Sequence, residues 1–346
     1  MMLIYIEREF DKLHLEKENW NRLVQQSWTN TIFQTYEWTR ICWDIFRKDN
    51  ELLVIVIKEG EELVGLAPLM IVKERYLFRN RRVIQFIGAG ISDYCDFIAK
   101  KNSQHILFKL IDYIFRGIPQ WDEIRLVGIP EQSASCRTIA KISKENCLRI
   151  FYLPHAICPA LTIKNNYQYA RSVSHKKSLM RRQRYFRSQG KYEVFHLFDP
   201  IEIEKYLNEF FEQHISRWEK SRTPSLFLER NNRLFYEELV KKICSNKWLI
   251  FTVVKVKGVP IAFHFGFVYN NVLTWYKPTF NQSYSKYSPG QVLLKELLDY
   301  AIDSEKDELD FTVGNEPFKR RFSNTIRKNM SVSIYQGYAE YEMKRV

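Results

Sequence analysis

Two distant stretches of this chain are written to one plan. Leu53-Val54-Ile55-Val56-Ile57 leads through a polar turn, Lys58 to Glu62, into Leu63-Val64-Gly65-Leu66-Ala67. Far downstream, Ile250-Phe251-Thr252-Val253-Val254 leads through Lys257-Gly258 into Pro260-Ile261-Ala262-Phe263-His264-Phe265. Each is a pair of β-rich runs joined by a short turn containing Gly, the pattern of a hairpin. A helical stripe follows each pair: Ile106, Leu107, Leu110, Ile111, Ile114 and Phe115 in the first copy, Leu293, Leu294, Leu297, Leu298, Ala301 and Ile302 in the second. That spacing gives each helix one apolar face, ready to pack on a sheet. A strand ending in Gly closes each copy, Asp122 to Gly128 and Asp307 to Gly314. Three matching elements in the same order indicate duplication.

Each half also opens with a helical stripe, marked by Trp20, Leu23 and Val24 in one and by Ile203, Leu207 and Phe210 in the other. The expected architecture is therefore mixed α/β, two tandem domains, each a mostly antiparallel sheet flanked by helices. The boundary is expected near residue 160, giving domains 1–160 and 161–346, with a dense basic segment over 171–191.

The formal charge of +13 favours anionic partners: nucleotides, acyl-CoA, tRNA or a membrane surface. The six cysteines are scattered without a C-x-x-C pair, which supports neither a metal site nor a disulfide framework and fits a reducing compartment. The N-terminus becomes charged too soon for a secretory signal, and the longest uncharged apolar run, Val64 to Val72, is far too short to cross a bilayer. A cytoplasmic location is expected.

The second copy carries a polar loop, Asn281 to Gly290, running from the strand Val272-Leu273-Thr274-Trp275-Tyr276 straight into the striped helix. Ser288 suits the N-cap and Pro289 the first helical position. Gly290 lets a ligand approach the backbone closely. Unpaired N–H groups at such a helix start favour an anion, most naturally a diphosphate.

The order helix, hairpin, strand, loop, helix, strand, short helix, strand resembles the GCN5-related N-acetyltransferase fold. Tyr284 to Gly290 with Asp310-Phe311-Thr312-Val313-Gly314-Asn315-Glu316-Pro317-Phe318-Lys319 is similar to the BioF2-like/CelD acetyltransferases, a family associated with surface polysaccharides. Phe318-Lys319-Arg320-Arg321-Phe322 is similar to the FemABX peptidyltransferases, which carry two such domains in tandem. The resemblance spans most of residues 20–336 and is sharpest in the last third. Only Gly290 stands where the wider superfamily has two loop glycines, and the first copy has none there, at Lys101-Asn102-Ser103-Gln104-His105. The first copy is thus expected to have lost donor binding and to serve the acceptor.

The resemblance implies an acyltransferase, with acyl-CoA as donor at Tyr287, Ser288, Pro289, Gly290 and Gln291. It places an oxyanion-binding backbone N–H around Trp275 to Lys277, worth about 3 kcal/mol per donor. It also gives Lys319 a role in neutralising a phosphate or the developing oxyanion, with Glu316 beside it; read from spacing alone, the two are an ordinary pair one helical turn apart. Candidate bases are Asp93 and Asp96, in a segment peculiar to the first copy, and His264, which faces opposite Phe263 and Phe265, toward either a cleft or solvent. Tyr276, Tyr284 and Tyr287 are each candidate proton donors to the thiolate. Lys177, Arg181 and Arg184 share one helical face and are expected to hold an acceptor's diphosphate. The acceptor implied is an amino sugar, nucleotide-linked. Two alternatives stay open: a FemABX-like transferase using aminoacyl-tRNA, and a non-enzymatic nucleic-acid binder.

Overall fold

The structure is a computed structural model that describes residues 1–76, 79–219, 221 and 223–336. It divides into two compact units, Met1–Ile157 with Arg327–Val346, and Cys158–Ile326.

The first unit begins with strand β1 (Met2–Glu7), helices α1 (Lys17–Gln26) and α2 (Tyr36–Phe46), then strands β2 (Glu51–Glu59), β3 (Glu62–Tyr76), β4 (Arg79–Phe86) and the two-residue β5 (Ile98–Ala99). Helix α3 (Gln104–Gly117), strand β6 (Glu123–Pro130), helix α4 (Ala134–Glu145) and the long strand β7 (Arg149–Thr162) follow. Thr35 starts α2 by accepting the Trp38 N–H on its hydroxyl. The β2–β3 hairpin aligns Ile55 with Ala67, and β2 is buried through its six central residues, as expected of an inner strand covered on both faces. The stripe on α3 packs in a core with Leu53, Ile55 and Ile57.

The second unit holds helices α5 (Tyr167–Ser174) and α6 (Lys177–Ser188), strand β8 (Tyr192–Leu197), and helices α7 (Pro200–Trp218) and α8 (Arg230–Ile243). Strands β9 (Leu249–Val256), β10 (Val259–Tyr269) and β11 (Val272–Phe280) lead to helix α9 (Pro289–Asp303), strand β12 (Glu308–Asp310), the short helix α10 (Pro317–Arg321) and strand β13 (Thr325–Tyr335). Its strands run in the order β8, β9, β10, β11, β12, all antiparallel except β11 with β12. Pro200 at the first turn and the Asp199 carboxylate, which accepts the Glu202 N–H, start α7. Phe210 and Tyr236, from α7 and α8, pack with Phe251, Phe263 and Phe265; Leu293, Leu297 and Leu298 of α9 pack in a separate core with Leu179 and Phe186 of α6.

The chain does not divide as 1–160 and 161–346. Strand β13 pairs with β6 over Asn329–Tyr335, so the segment from Arg327 belongs to the first unit. An antiparallel partner for β6 comes from the end of the sequence, which hydrophobic patterning alone does not reveal.

Candidate functional site

Strands β11 and β12 run parallel for three residue pairs, Val272 with Glu308, Leu273 with Leu309 and Thr274 with Asp310, and part there. Thr312, at φ 54°, turns the chain away, with its N–H on Asp310 Oδ1 at 2.8 Å and its hydroxyl 3.4 Å from the Trp275 carbonyl. At the same level β11 bulges: Phe265 faces Lys277 and Phe267 faces Thr274, so Trp275 and Tyr276 both stand opposite Gly266. The His264 ring fills that kink. A Cβ on Gly266 would overlap the imidazole, which leaves glycine as the residue that fits.

His264 is fully buried, stacks on Trp275 at 5.4 Å between ring centres, and sets Nε2 3.3 Å from the Tyr276 nitrogen. Burial pulls its pKa down to about 3. This corrects its reading as a base: the ring is neutral, sealed from solvent, and shapes the strand instead. Tyr276 lies in the aromatic core, 5.3 Å from the Phe267 ring and stacked on Tyr236 at 6.2 Å.

The loop into α9 forms a short turn over Gln282–Tyr287, capped by Asn281 Oδ1 accepting the Ser283 N–H. Ser288 adopts a left-handed conformation, φ 59° and ψ 57°, and its side chain makes no capping bond. The expected hydroxyl cap is thus absent, because an N-cap needs an extended backbone. Pro289 occupies the first turn as expected. A Cβ on Gly290 would lie 3.3 Å from the Phe280 ring, so the loop packs tightly on the end of β11. Gln291 donates its N–H to the Ser288 carbonyl at 3.0 Å, while its side-chain oxygen is buried with no hydrogen-bond donor among the described residues. Tyr287 stacks on Tyr185 of α6, centroids 4.1 Å apart and planes 19° apart.

Lys177, Arg181 and Arg184 are exposed on α6, opposite the buried Leu179, Gln183 and Phe186.

Glu316 and Lys319 do not form an ordinary surface pair. Lys319 is 5% exposed, and its ammonium lies 2.7 Å from the Val313 carbonyl and 3.3 Å from Glu316 Oε2. Gly314, at φ 146°, makes room: a Cβ there would overlap the Glu316 carboxylate. Arg217, at the end of α7, escaped sequence reading. Its guanidinium donates to the Pro278 carbonyl at 2.8 Å and lies 4.6 Å from the centre of Phe280. Burial lowers its pKa, with Glu316 opposing that shift. No local pattern marks this arginine; its value comes from where α7 ends beside β11.

In the first unit the matching place is filled by the chain itself. Among the described residues, strands β4 and β6 pair at Val83 with Glu123 and at Ile84 with Ile124. Beyond that, the Cys95 N–H bonds the Gly128 carbonyl of β6 at 3.0 Å, with Tyr94, Cys95 and Asp96 all buried. Asp96 is fully buried and accepts from Thr29 Oγ1 at 2.6 Å, Ser135 Oγ at 2.5 Å and the Phe97 N–H at 2.9 Å. Burial raises its pKa against those bonds. Its carboxyl is a structural hub, which corrects its reading as a base. Asp93 is half-buried in the same plug, its carbonyl accepting from Asn329 at 2.7 Å.

Among the described residues, no group of three or more His, Cys, Asp or Glu is placed to hold a metal, and no helix is long and apolar enough to cross a membrane.

Residues 173–320 match the family model described as Acetyltransferase (GNAT) domain. No curated protein matches by sequence. The structure of FemX superposes with a TM-score of 0.67 at 11% identity, covering 95% of this chain and 98% of that one. The structure of L-PGS from Bacillus licheniformis gives a TM-score of 0.54 at 11% identity, over 94% of this chain and 93% of that one. A tandem GNAT protein from the clavulanic acid biosynthesis pathway gives 0.50 at 9% identity, over 96% and 98%.

Proposed function

We propose, for a chain that is an acyltransferase with a GNAT domain in a FemABX-like tandem fold, that it moves an acyl group from acyl-CoA to the amine of a nucleotide-linked amino sugar for surface polysaccharide synthesis in the cytoplasm. The observation that carries this reading is the parting of β11 from β12 after Thr274 and Asp310, beside a helix that starts at Pro289 and Gly290.

Acyl-CoA, when bound, supplies an activated thioester carbonyl. One local feature fits it. At the start of α9 the Gln291 side-chain oxygen is, among the described residues, a buried acceptor awaiting a donor such as an amide N–H. Trp275 accepts Thr312 on its carbonyl, so its N–H turns toward the same opening and becomes the oxyanion donor. His264 holds that kink by occupying the space opposite it. Lys319, fixed between Val313 and Glu316, brings a positive charge to the segment after β12. Arg217 adds a second cation near Glu316. Glu316 remains the candidate acceptor of the amine proton in the second unit.

A FemABX-like aminoacyl transfer from tRNA is the second reading, favoured by the likeness to FemX and by the basic face of α6. Thermal-shift measurements with acetyl-CoA, nucleotide-sugars and bulk tRNA distinguish the two. Stabilisation by acetyl-CoA and by a nucleotide-amino sugar is expected. Affinity for tRNA that falls steeply with salt, without any response to acetyl-CoA, replaces the first reading by the second.

A further inference from the structure

The aromatic and cationic cluster where α6 meets the α9 loop has the composition of a nucleotide site. Helix α6 runs along α9, joined by Gln183 Nε2 to Glu296 Oε1 at 2.6 Å, and it brings Tyr185 onto Tyr287 at the loop. Phe186 and Tyr284 pack beside this stack, 6.1 Å apart. Both stacked tyrosines are half-exposed, so their rings remain open to a ligand. The exposed Lys286 ammonium stands 4.8 Å from the Tyr287 centroid.

The charges nearby lack counter-charges. Among the described residues, no carboxylate lies within ion-pair distance of Lys177, Arg181, Arg184 or Lys286. Nearer the start of α6 the cations crowd one another. Lys176 donates to the Arg321 carbonyl at 2.6 Å, and Arg321 donates to Ser178 Oγ at 3.0 Å. Burial and then Arg321 lower the Lys176 pKa; burial, Arg181 and Arg321 lower that of Arg182. Like charges gathered without acids are held at a cost that an anionic ligand removes.

We infer that Tyr185, Tyr287, Lys286, Arg181 and Arg184 form a purine-nucleotide subsite that takes the adenosine 3′-phosphate end of the donor. The purine extends the tyrosine stack over the Tyr287 face now met by Lys286, whose ammonium moves to phosphate. Base–aromatic stacking tolerates such a swap because each purine presents a π-face. Arg184 adjoins Tyr185 in sequence, and Arg181 lies one helical turn before it, so both guanidinium groups reach the same neighbourhood. The basic face of α6 therefore serves the donor rather than the acceptor's diphosphate. This inference rests on the acyl-CoA reading above.

The test is calorimetric titration of the full chain with CoA, dephospho-CoA, adenosine 3′,5′-bisphosphate and an oligonucleotide ending in CCA. CoA is expected to bind about tenfold more tightly than dephospho-CoA, the effect of one charge-assisted contact. Replacing both Arg181→Gln and Arg184→Gln erases that preference. Tyr287→Ala weakens CoA and the bisphosphate about tenfold while Tyr287→Phe preserves both, with melting temperatures confirming that each variant folds. Equal affinity for CoA and dephospho-CoA, unmoved by these variants, overturns the subsite but leaves the donor reading standing. If neither CoA nor the bisphosphate binds, the donor reading fails with it. Preferential binding of the CCA oligonucleotide assigns the cluster to RNA and overturns the CoA assignment.

Discussion

A neutral imidazole filling the kink in β11 explains why Gly266 stands opposite it. Gly266→Ala forces the ring or the strand to move and is expected to destabilise the protein by about 2–3 kcal/mol, read from denaturant unfolding. His264→Ala relieves that crowding but frees the strand, so kcat is expected to fall at least about tenfold with donor affinity little changed; an unaltered kcat removes the positioning role. Asp96 offers a different contrast. Burial raises its pKa, so the native state binds the proton more tightly than the unfolded chain. Stability is then lost as pH climbs from about 4 through the raised value. Asp96→Asn cannot ionise, so its melting temperature should gain on the wild type as pH rises above about 4, with acyl transfer retained. Loss of activity at an unchanged melting temperature would restore Asp96 as a catalytic group.

At the scale of elements, hairpins, striped helices and the strand before the loop were legible because burial imposes a period on sequence. Leu53 to Ala67 and Ile250 to Phe265 are continuous β-rich apolar runs broken by a polar turn, as inner strands buried on both faces require, and Pro289 marks the start of α9. What escaped depends on partners distant in sequence. Nothing around Ser92 to Phe97 announces that Cys95 will bond Gly128 and plug the first copy's strand gap. The Glu316–Lys319 spacing looks like a solvated pair until the fold buries Lys319 against Val313. Arg217 carries no motif at all. Lys319→Met keeps the stem but removes the charge, and is expected to lower kcat about a hundredfold if the ammonium stabilises the transition state. Steady-state kinetics that show only a higher KM would assign it to binding instead.

Across the whole molecule, buried histidines add to the loss of stability in mild acid. Burial lowers His264 and His214 to about 3, with Arg217 and Lys277 adding to the shift at His214. The unfolded chain takes up protons at these rings below about pH 6.5 while the native second unit does not. Each ring therefore withdraws about 2 kcal/mol of stability by pH 5. Denaturant unfolding between pH 7.5 and 5 should show that decline, and His214→Gln should reduce it by about 2 kcal/mol while the part due to His264 remains; a flat profile in the wild type contradicts the burial of these rings. The return of β13 to β6 has another consequence. During synthesis on the ribosome, the amino-terminal sheet lacks its last strand until residue 335 has emerged, long after the second unit's helices and strands are made. For that interval β6 presents an open edge to any passing chain, which makes the nascent protein a natural client for a holding chaperone.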